Sequence, residues 1–308
     1  MNEKDNSFKG LVDSLRNEIN KKGSVVAKLS MPHFLYQTTA QAKAYEEATH
    51  RSTAYLKTLD KPISKLIEDN IEGLCEDLSK EIHFIDLGPG YPSKSLQIID
   101  EIIKQGNLVT YFPVDVSLFF LKRATAAIAS RGIHYNSLQE RFENLAPVLD
   151  RDLFLKEGMR YVFLGLTFNN FEPDYISKIL SELTNPGDRC VICCQSPNGV
   201  DEYDLTLPYR TNSVDKFCFL PLDAVGLKRT DFDFLVVFED NAIRVRYRAT
   251  RELRVDDIVI PQGFLLETSA SYRYELAHVK KSVELYFSVK EIYNSEHENI
   301  HLFSLQSE

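Results

Sequence analysis

Long apolar runs are absent from this chain. No segment approaches the about 18 uncharged apolar residues that a membrane-spanning helix needs, which excludes that class of element. The opening residues, MNEKDNSFKGLVDSLRNEINKKG, are charged throughout and lack the apolar stretch and cleavage site of a secretion signal. The expectation is a cytoplasmic protein with no membrane partner. Excess base is absent too. Lys and Arg number 36 against 45 Asp and Glu, a formal net charge of -9. A protein that gains affinity by neutralising phosphates carries a basic surface, so no nucleic-acid partner is expected. One local run, Arg244, Arg246, Arg248, Arg251 and Arg254, begins at spacing two and reads as the solvated face of a β-strand.

Cysteines are few. There are five, and three cluster in RCVICCQ, where Cys190 and Cys193 form a Cys-x-x-Cys. No second pair and no nearby histidine completes a tetrahedral zinc site. VICC reads instead as a buried strand in which reduced cysteine behaves as a small hydrophobe. The seven histidines show no ligand-like spacing, so no metal is expected. What remains is ordinary for a folded enzyme: 44% hydrophobic and 26% charged residues in 308, enough for one large domain or two lobes.

Residues 60–200 alternate strand-like and helix-like runs. IHFIDL ends in Gly88-Pro89-Gly90, and SKSLQIIDEIIKQG has helical periodicity with Ser93 as N-cap and Gly106 as stop. LVTYFPVDVS is the next strand, and LFFLKRATAAIASRG the next helix, closed by Gly132. IHYNSL, RYVFLGL and DRCVICCQ supply further strands, with DYISKILSEL as a helix before the last. This alternation argues an α/β fold, a mostly parallel sheet covered on both faces. The flanks differ: residues 1–59 are mostly helical in pattern. From about 200 the chain turns to loops and antiparallel-looking strands, FDFLVVFE, AIRVRYRATREL and GFLLETSASYRYEL. VELYFSVKEI and IHLFSL read as a closing hairpin. The simplest assembly is a nucleotide-type core, residues 60–199 and 272–308, with a lobe built from 1–59 and 200–271.

Three motifs fall at strand ends. DLGPG lets backbone N–H groups approach a ligand, although the third glycine of a dinucleotide loop is missing. Taken alone it fits a cofactor loop or an ordinary strand-to-helix turn equally well. Asp115 ends the next strand, where an acid can accept both hydroxyls of a ribose. It serves NAD or S-adenosylmethionine alike, or caps the following helix, for which Ser117 is an equally good cap. LGLTFNNF then places Thr167, Asn169 and Asn170 at the same edge, as turn residues or as hydrogen-bond partners of a ligand.

Together IDLGPGYPSK, YFPVDVS and FLGLTFNNF resemble the histidine-specific S-adenosylmethionine-dependent methyltransferase family. FLYQTTAQAKAYEEATHRSTAY is similar to that family's N-terminal segment, and RVRYRATREL and LLETSASYRYE to its substrate strands. The resemblance implies a Rossmann-like class I methyltransferase core with a seven-stranded sheet, S-adenosyl-L-methionine as cofactor, and transfer to the α-amine of a small amino acid. It implies cofactor contacts from Gly88, Gly90, Lys94 and Asp115, with Lys94 on the methionine carboxylate. Arg141-Phe142 stands where Asp-Phe usually flanks the adenine, so Phe142 can stack while Arg141 cannot accept the adenine amino hydrogens. Substrate contacts implied are Tyr36, Tyr45, Tyr55, Asn170 and Tyr209, with Tyr36 nearest the amine. Tyr36, Tyr55 and Asn170 are the candidate catalytic set. Glu267 and Ser269 match the pair that reads the imidazole, and Val245 replaces a methionine against the substrate ring, leaving room for a different side chain. Gln37 stands where aspartate is common. Retained Glu267 implies a substrate offering an N–H or a positive charge. A monomer is expected. The alternatives are an NAD-dependent oxidoreductase, weakened by the missing third glycine, and a cofactor-binding module whose catalysis has decayed.

Overall fold

A computed structural model describes residues 9–49, 53–151, 158–296 and 299–308. In chain order the strands are β1 (Val26–Lys28), β2 (Glu81–Leu87), β3 (Leu108–Val114), β4 (His134–Tyr135), β5 (Met159–Leu164) and β6 (Arg189–Gln195). There follow β7 (Phe232–Glu239), β8 (Ala242–Ala249), β9 (Leu253–Val255), β10 (Ile258–Ile260), β11 (Leu265–Tyr272), β12 (Phe287–Asn294) and β13 (Ile300–Ser307). The principal helices are α1 (Lys9–Ile19), α2 (Thr39–Thr49), α3 (Ser93–Lys104), α4 (Leu118–Ala129), α5 (Pro173–Glu182), α6 (Asn212–Ala224) and α7 (Leu276–Val283). The chain divides into two compact units, residues 57–200 with 273–308, and residues 1–56 with 201–272.

The first unit is an α/β layer structure. Its seven-stranded sheet runs β12-β13-β6-β5-β2-β3-β4, parallel from β6 to β4 and antiparallel where β13 meets β6 and β12. Central strands covered on both faces need apolar side chains at every position, and all seven residues of RCVICCQ are buried. The five cysteines are buried free thiols. Helix α3 turns Leu96, Ile98, Ile99 and Ile102 onto the sheet at the helical period, each such side chain adding about 1.5–3 kcal/mol of burial. It stops at Gly106, whose φ of 90° is open to glycine. Its N-cap is Pro92, and Ser93 is the first helical residue. IHYNSL forms only the two-residue strand β4, followed by a bridge from Leu138 to Val114. The closing hairpin forms as read, but it starts at Phe287 because helix α7 takes the chain through Val283.

Strand order reverses between β2 and β5. From β2 the chain steps outward to β3 and β4, and from β5 the other way to β6. The carboxyl ends of parallel strands at such a switch point leave a crevice that ligands use. The turns after β2, β3 and β5 carry Gly88, Asp115 and Thr167.

The second unit holds a four-stranded sheet ordered β1-β11-β8-β7 and a separate β9-β10 hairpin. β7 and β8 are joined at Asp240-Asn241, both at positive φ, the geometry of a tight hairpin turn. Two expectations are corrected here. Residues 200–225 are more than loop: α6 runs for 13 residues from an N-cap at Thr211, whose hydroxyl accepts from the Val214 N–H. The arginines of β8 do not form one solvated face. Arg244 and Arg246 are 5% and 8% exposed, while Arg248, Arg251 and Arg254 are exposed. Period two shows which residues share a face but not what covers it. Here the cover is Glu267 of the neighbouring strand.

Candidate functional site

Gly88 follows β2 at φ 68° and Gly90 at φ 48°. The Gly88 N–H donates to the Val114 carbonyl at 2.8 Å, which pins the loop to the end of β3. A Cβ on Gly88 would stand 3.0 Å from the Thr167 hydroxyl oxygen. Conformation and space both demand glycine at this position, and the same contact shows that the turns after β2 and β5 touch.

Asp115 lies one residue past β3 and is 8% exposed. Its Oδ1 accepts from the Ser117 N–H at 2.8 Å, a bond that braces the turn into α4 without capping the helix interior. Burial pushes its carboxyl up to about 7, and the neighbouring Asp86 carboxylate adds to the rise. Asp86, at 2% exposure, is itself raised to about 6 by burial, even though it accepts the Tyr111 hydroxyl at 2.6 Å and a bond from Ser95. Two acids sit inside the protein at adjacent strand ends. Asp86 and Tyr111 belong to this site and were not read from sequence, although the acid of DLGPG was there to be weighed.

The structure tests whether these residues fit S-adenosylmethionine. A buried acceptor at the switch point suits a ribose diol, and glycines at positive φ suit close backbone approach. They fit. The Lys94 ammonium, half-buried on α3, is paired with Asp60, so a ligand carboxylate there would share it. Arg141 is exposed and reaches Glu143 at 3.4 Å. Phe142 is half-buried, with its ring 6.0 Å from Phe171, and packs against the sheet core.

The turn Leu166–Asn170 separates its two asparagines by role. Asn169 is buried and exchanges bonds with the Gln195 backbone, donating to its carbonyl at 3.2 Å and accepting from its N–H at 2.9 Å. Gln195 in turn accepts from the Nε of buried Arg273 at 2.7 Å. Asn169 is a staple between strand ends. Asn170 closes the turn and stays half-exposed.

In the second unit Tyr36 and Tyr45 meet edge to face, ring centroids 5.3 Å apart. Phe217 of α6 packs on both, at 5.6 and 5.4 Å. Phe217 was missed because α6 was missed; Val214, Phe217, Cys218 and Leu222 at helical spacing after Thr211 were the signal. The Gln37 side-chain carbonyl, next to Tyr36, is buried without a hydrogen-bond partner among the described residues. The turn ending in Tyr55 packs against the turn Leu207–Tyr209, and the Tyr209 hydroxyl bonds the Ser271 hydroxyl at 3.1 Å.

Glu267 and Ser269 are not brought together. The register of β11 on β8 shifts between them, so Glu267 stands opposite Arg246 and Ser269 opposite Val245. Glu267 is wholly buried, and both its oxygens are held by arginines, Arg244 Nη1 at 3.0 Å and Arg246 Nε at 2.9 Å. Val245 is wholly buried on the other face.

The seven-stranded sheet, parallel except at β13 and β12, is a Rossmann-like class I methyltransferase fold, and the glycine turn and the acid lie on its adjacent strand ends. The chain belongs to the family of histidine-specific, S-adenosylmethionine-dependent methyltransferases, whose model matches residues 25–307. Its cofactor is S-adenosylmethionine. A histidine N-alpha-methyltransferase of Mycobacterium tuberculosis is 23% identical over 169 residues, 53% of this chain and 50% of that protein, so the match spans about half the relative's length. Among solved structures, the PH0226 protein of Pyrococcus horikoshii is 12% identical with a TM-score of 0.48, covering 88% of this chain and 100% of that one. An S-adenosylmethionine-dependent methyltransferase of Clostridium acetobutylicum is 11% identical with a TM-score of 0.46, covering 86% and 97%. No helix among the described residues is long and apolar enough to cross a membrane.

Proposed function

We propose that this protein is an N-methyltransferase that methylates the α-amine of a small amino acid, histidine or a related aromatic one, by direct in-line transfer. The observation that carries the reading is the pair formed by buried Asp115 and the positive-φ Gly88 loop at the switch point, in a chain of this family. Residues 57–200 and 273–308 would hold the cofactor, and residues 1–56 and 201–272 would supply most of the substrate contacts.

S-adenosylmethionine, when bound, supplies a methyl group on a positively charged sulfur. Asp115 would accept hydrogen bonds from the ribose hydroxyls, and the Gly88–Gly90 turn would offer backbone close to the ligand. Lys94 offers its charge to the ligand carboxylate alongside Asp60. Such a methyl group would be electrophilic enough for a bound amine to accept it directly, with a neutral thioether as leaving group, so no covalent nucleophile on the protein would be needed. The protein's task is alignment of a neutral amine. Tyr36, Tyr45, Tyr55 and Tyr209 offer hydroxyls for the amine and carboxylate, with Asn170 as a further donor and acceptor. The Gln37 carbonyl, without a hydrogen-bond partner among the described residues, is an acceptor suited to an amine N–H. The proton released from nitrogen passes to a tyrosine or to water.

The test is incubation of purified protein with S-adenosylmethionine and an amino-acid panel that includes aromatic derivatives, read by mass spectrometry with fragmentation. Methyl groups placed on the α-nitrogen of one amino acid are the expected result. Methylation at a side-chain atom alone, or none on any amino acid although the cofactor binds, would overturn the reading.

A further inference from the structure

The turn between β2 and α3 reads Gly88-Pro89-Gly90-Tyr91-Pro92. Its glycines stand at φ 68° and 48°, and a turn built on such residues has freedom that other contacts must remove. Two contacts tie it to the segment that follows β3. One is the backbone bond from the Gly88 N–H to the Val114 carbonyl, 2.8 Å long. The other is aromatic. The Arg123 guanidinium of α4 stands 3.9 Å from the centre of the Tyr91 ring, well inside the range of a cation–π contact. Phe119, one helical turn before Arg123 on the same side of α4, presents a second ring 5.8 Å from that guanidinium. The Phe119 ring in turn meets the buried Phe120 ring edge to face at 5.5 Å.

Tyr91, Phe119 and Arg123 are half-buried, so the aromatic tie borders solvent. Along the chain, Gly90 falls between the two ties on one segment and Asp115 falls between them on the other. The two helices are joined once more, away from both turns. Arg131, just past the last residue of α4, donates to Asp100 of α3 at 3.1 and 3.4 Å, an exposed pair.

We propose that Tyr91 and Arg123 are positioning residues of the cofactor site. Their contact holds the glycine turn and the Asp115 turn at the spacing that S-adenosylmethionine needs. The inference concerns the cofactor alone and does not depend on which amine is methylated. Fixing the spacing ahead of binding raises the fraction of molecules ready for the ligand, and affinity scales with that fraction. A contact that served the fold alone would persist equally with and without ligand, so its loss would leave affinity unchanged. A cation–π contact shifts an equilibrium about two- to fivefold when exposed and roughly thirtyfold when desolvated. A half-buried pair belongs between these limits.

The test is a double-mutant cycle read by calorimetry of S-adenosylmethionine binding, with Tm of the ligand-free protein measured for every variant. Tyr91→Leu and Arg123→Met should each weaken binding about fivefold, and the double variant should lie within about twofold of the weaker single. Tyr91→Phe keeps the ring face and should bind within about twofold of the wild-type protein. Arg131→Met removes the other tie between the helices and should leave affinity unchanged. Single variants that bind as tightly as the wild-type protein overturn the inference, whether or not their Tm falls. Losses that multiply in the double variant overturn it too, because the two side chains would then act separately. So does an Arg131→Met protein as weak as Arg123→Met, since any link between the helices would then serve. Every ratio refers to wild-type cofactor affinity, so failure of the amino-acid reading leaves this test intact.

Discussion

The protein buries acids in two different ways. In the unit of residues 57–200 and 273–308, Asp115 and Asp86 lie at neighbouring strand ends, 8% and 2% exposed, and burial lifts their carboxyls to about 7 and about 6. In the other unit Glu267, with no exposure at all, sits between Arg244 and Arg246. A buried carboxylate with both oxygens on guanidiniums is architecture. A buried carboxyl driven up by burial and by a second acid is unstable as a charge, and ligand hydroxyls would relieve it. Exposure alone does not separate the two cases; the partners do.

Breaking the compensated site should have the largest effect. Arg246→Met leaves Glu267 with one guanidinium and should cost about 3–5 kcal/mol of unfolding free energy in denaturant titration. At the uncompensated site the effect belongs to the ligand. Asp115→Asn keeps the shape, removes the charge, and should weaken S-adenosylmethionine binding roughly 100-fold by calorimetry, with Tm unchanged or raised. A Tm drop as large as that of Arg246→Met would erase the contrast. Gly88→Ala forces an L residue to φ 68° against Thr167 and should lose about 1–2 kcal/mol of stability, with weaker cofactor binding in the same titration. The smallest effect should come two residues from the largest. Arg248, on the exposed side of β8 with a 3.4 Å pair to Asp233, should tolerate alanine within about 0.5 kcal/mol.

Much of the first unit was legible in sequence because parallel strands and their helices are local patterns. IHFIDL, LVTYFPVDVS and DRCVICCQ read as strands, and Gly106 and Gly132 as stops, from residues close together in the chain. What failed was whatever depended on distant partners. The arginines of β8 alternate as a solvated strand would, and only the pairing with β11 shows that two of them cover Glu267. Pro221 lies inside α6, and the apolar period and the Thr211 cap outweigh its cost. Asp115 was found as an acid at a strand end, but its burial beside Asp86 and the Tyr111 hydroxyl required the assembled sheet. The β11 bulge leaves no mark in ETSAS that sets Glu267 and Ser269 apart.

The most direct test is the pH dependence of S-adenosylmethionine binding, measured by calorimetry from pH 8 to pH 5.5. The folded-state carboxyl of Asp115 is raised above its unfolded value. Its contribution to ligand-free stability is therefore present below the unfolded pKa and lost as pH rises through about 7. Ribose hydroxyls favour the ionised form, so binding should show the opposite trend. The prediction is affinity that holds above pH 7 and falls below it, toward about tenfold per unit, with this slope absent in Asp115→Asn. Affinity that is flat across the range in the wild-type protein, or that rises on acidification, would contradict the assignment of Asp115 to the cofactor.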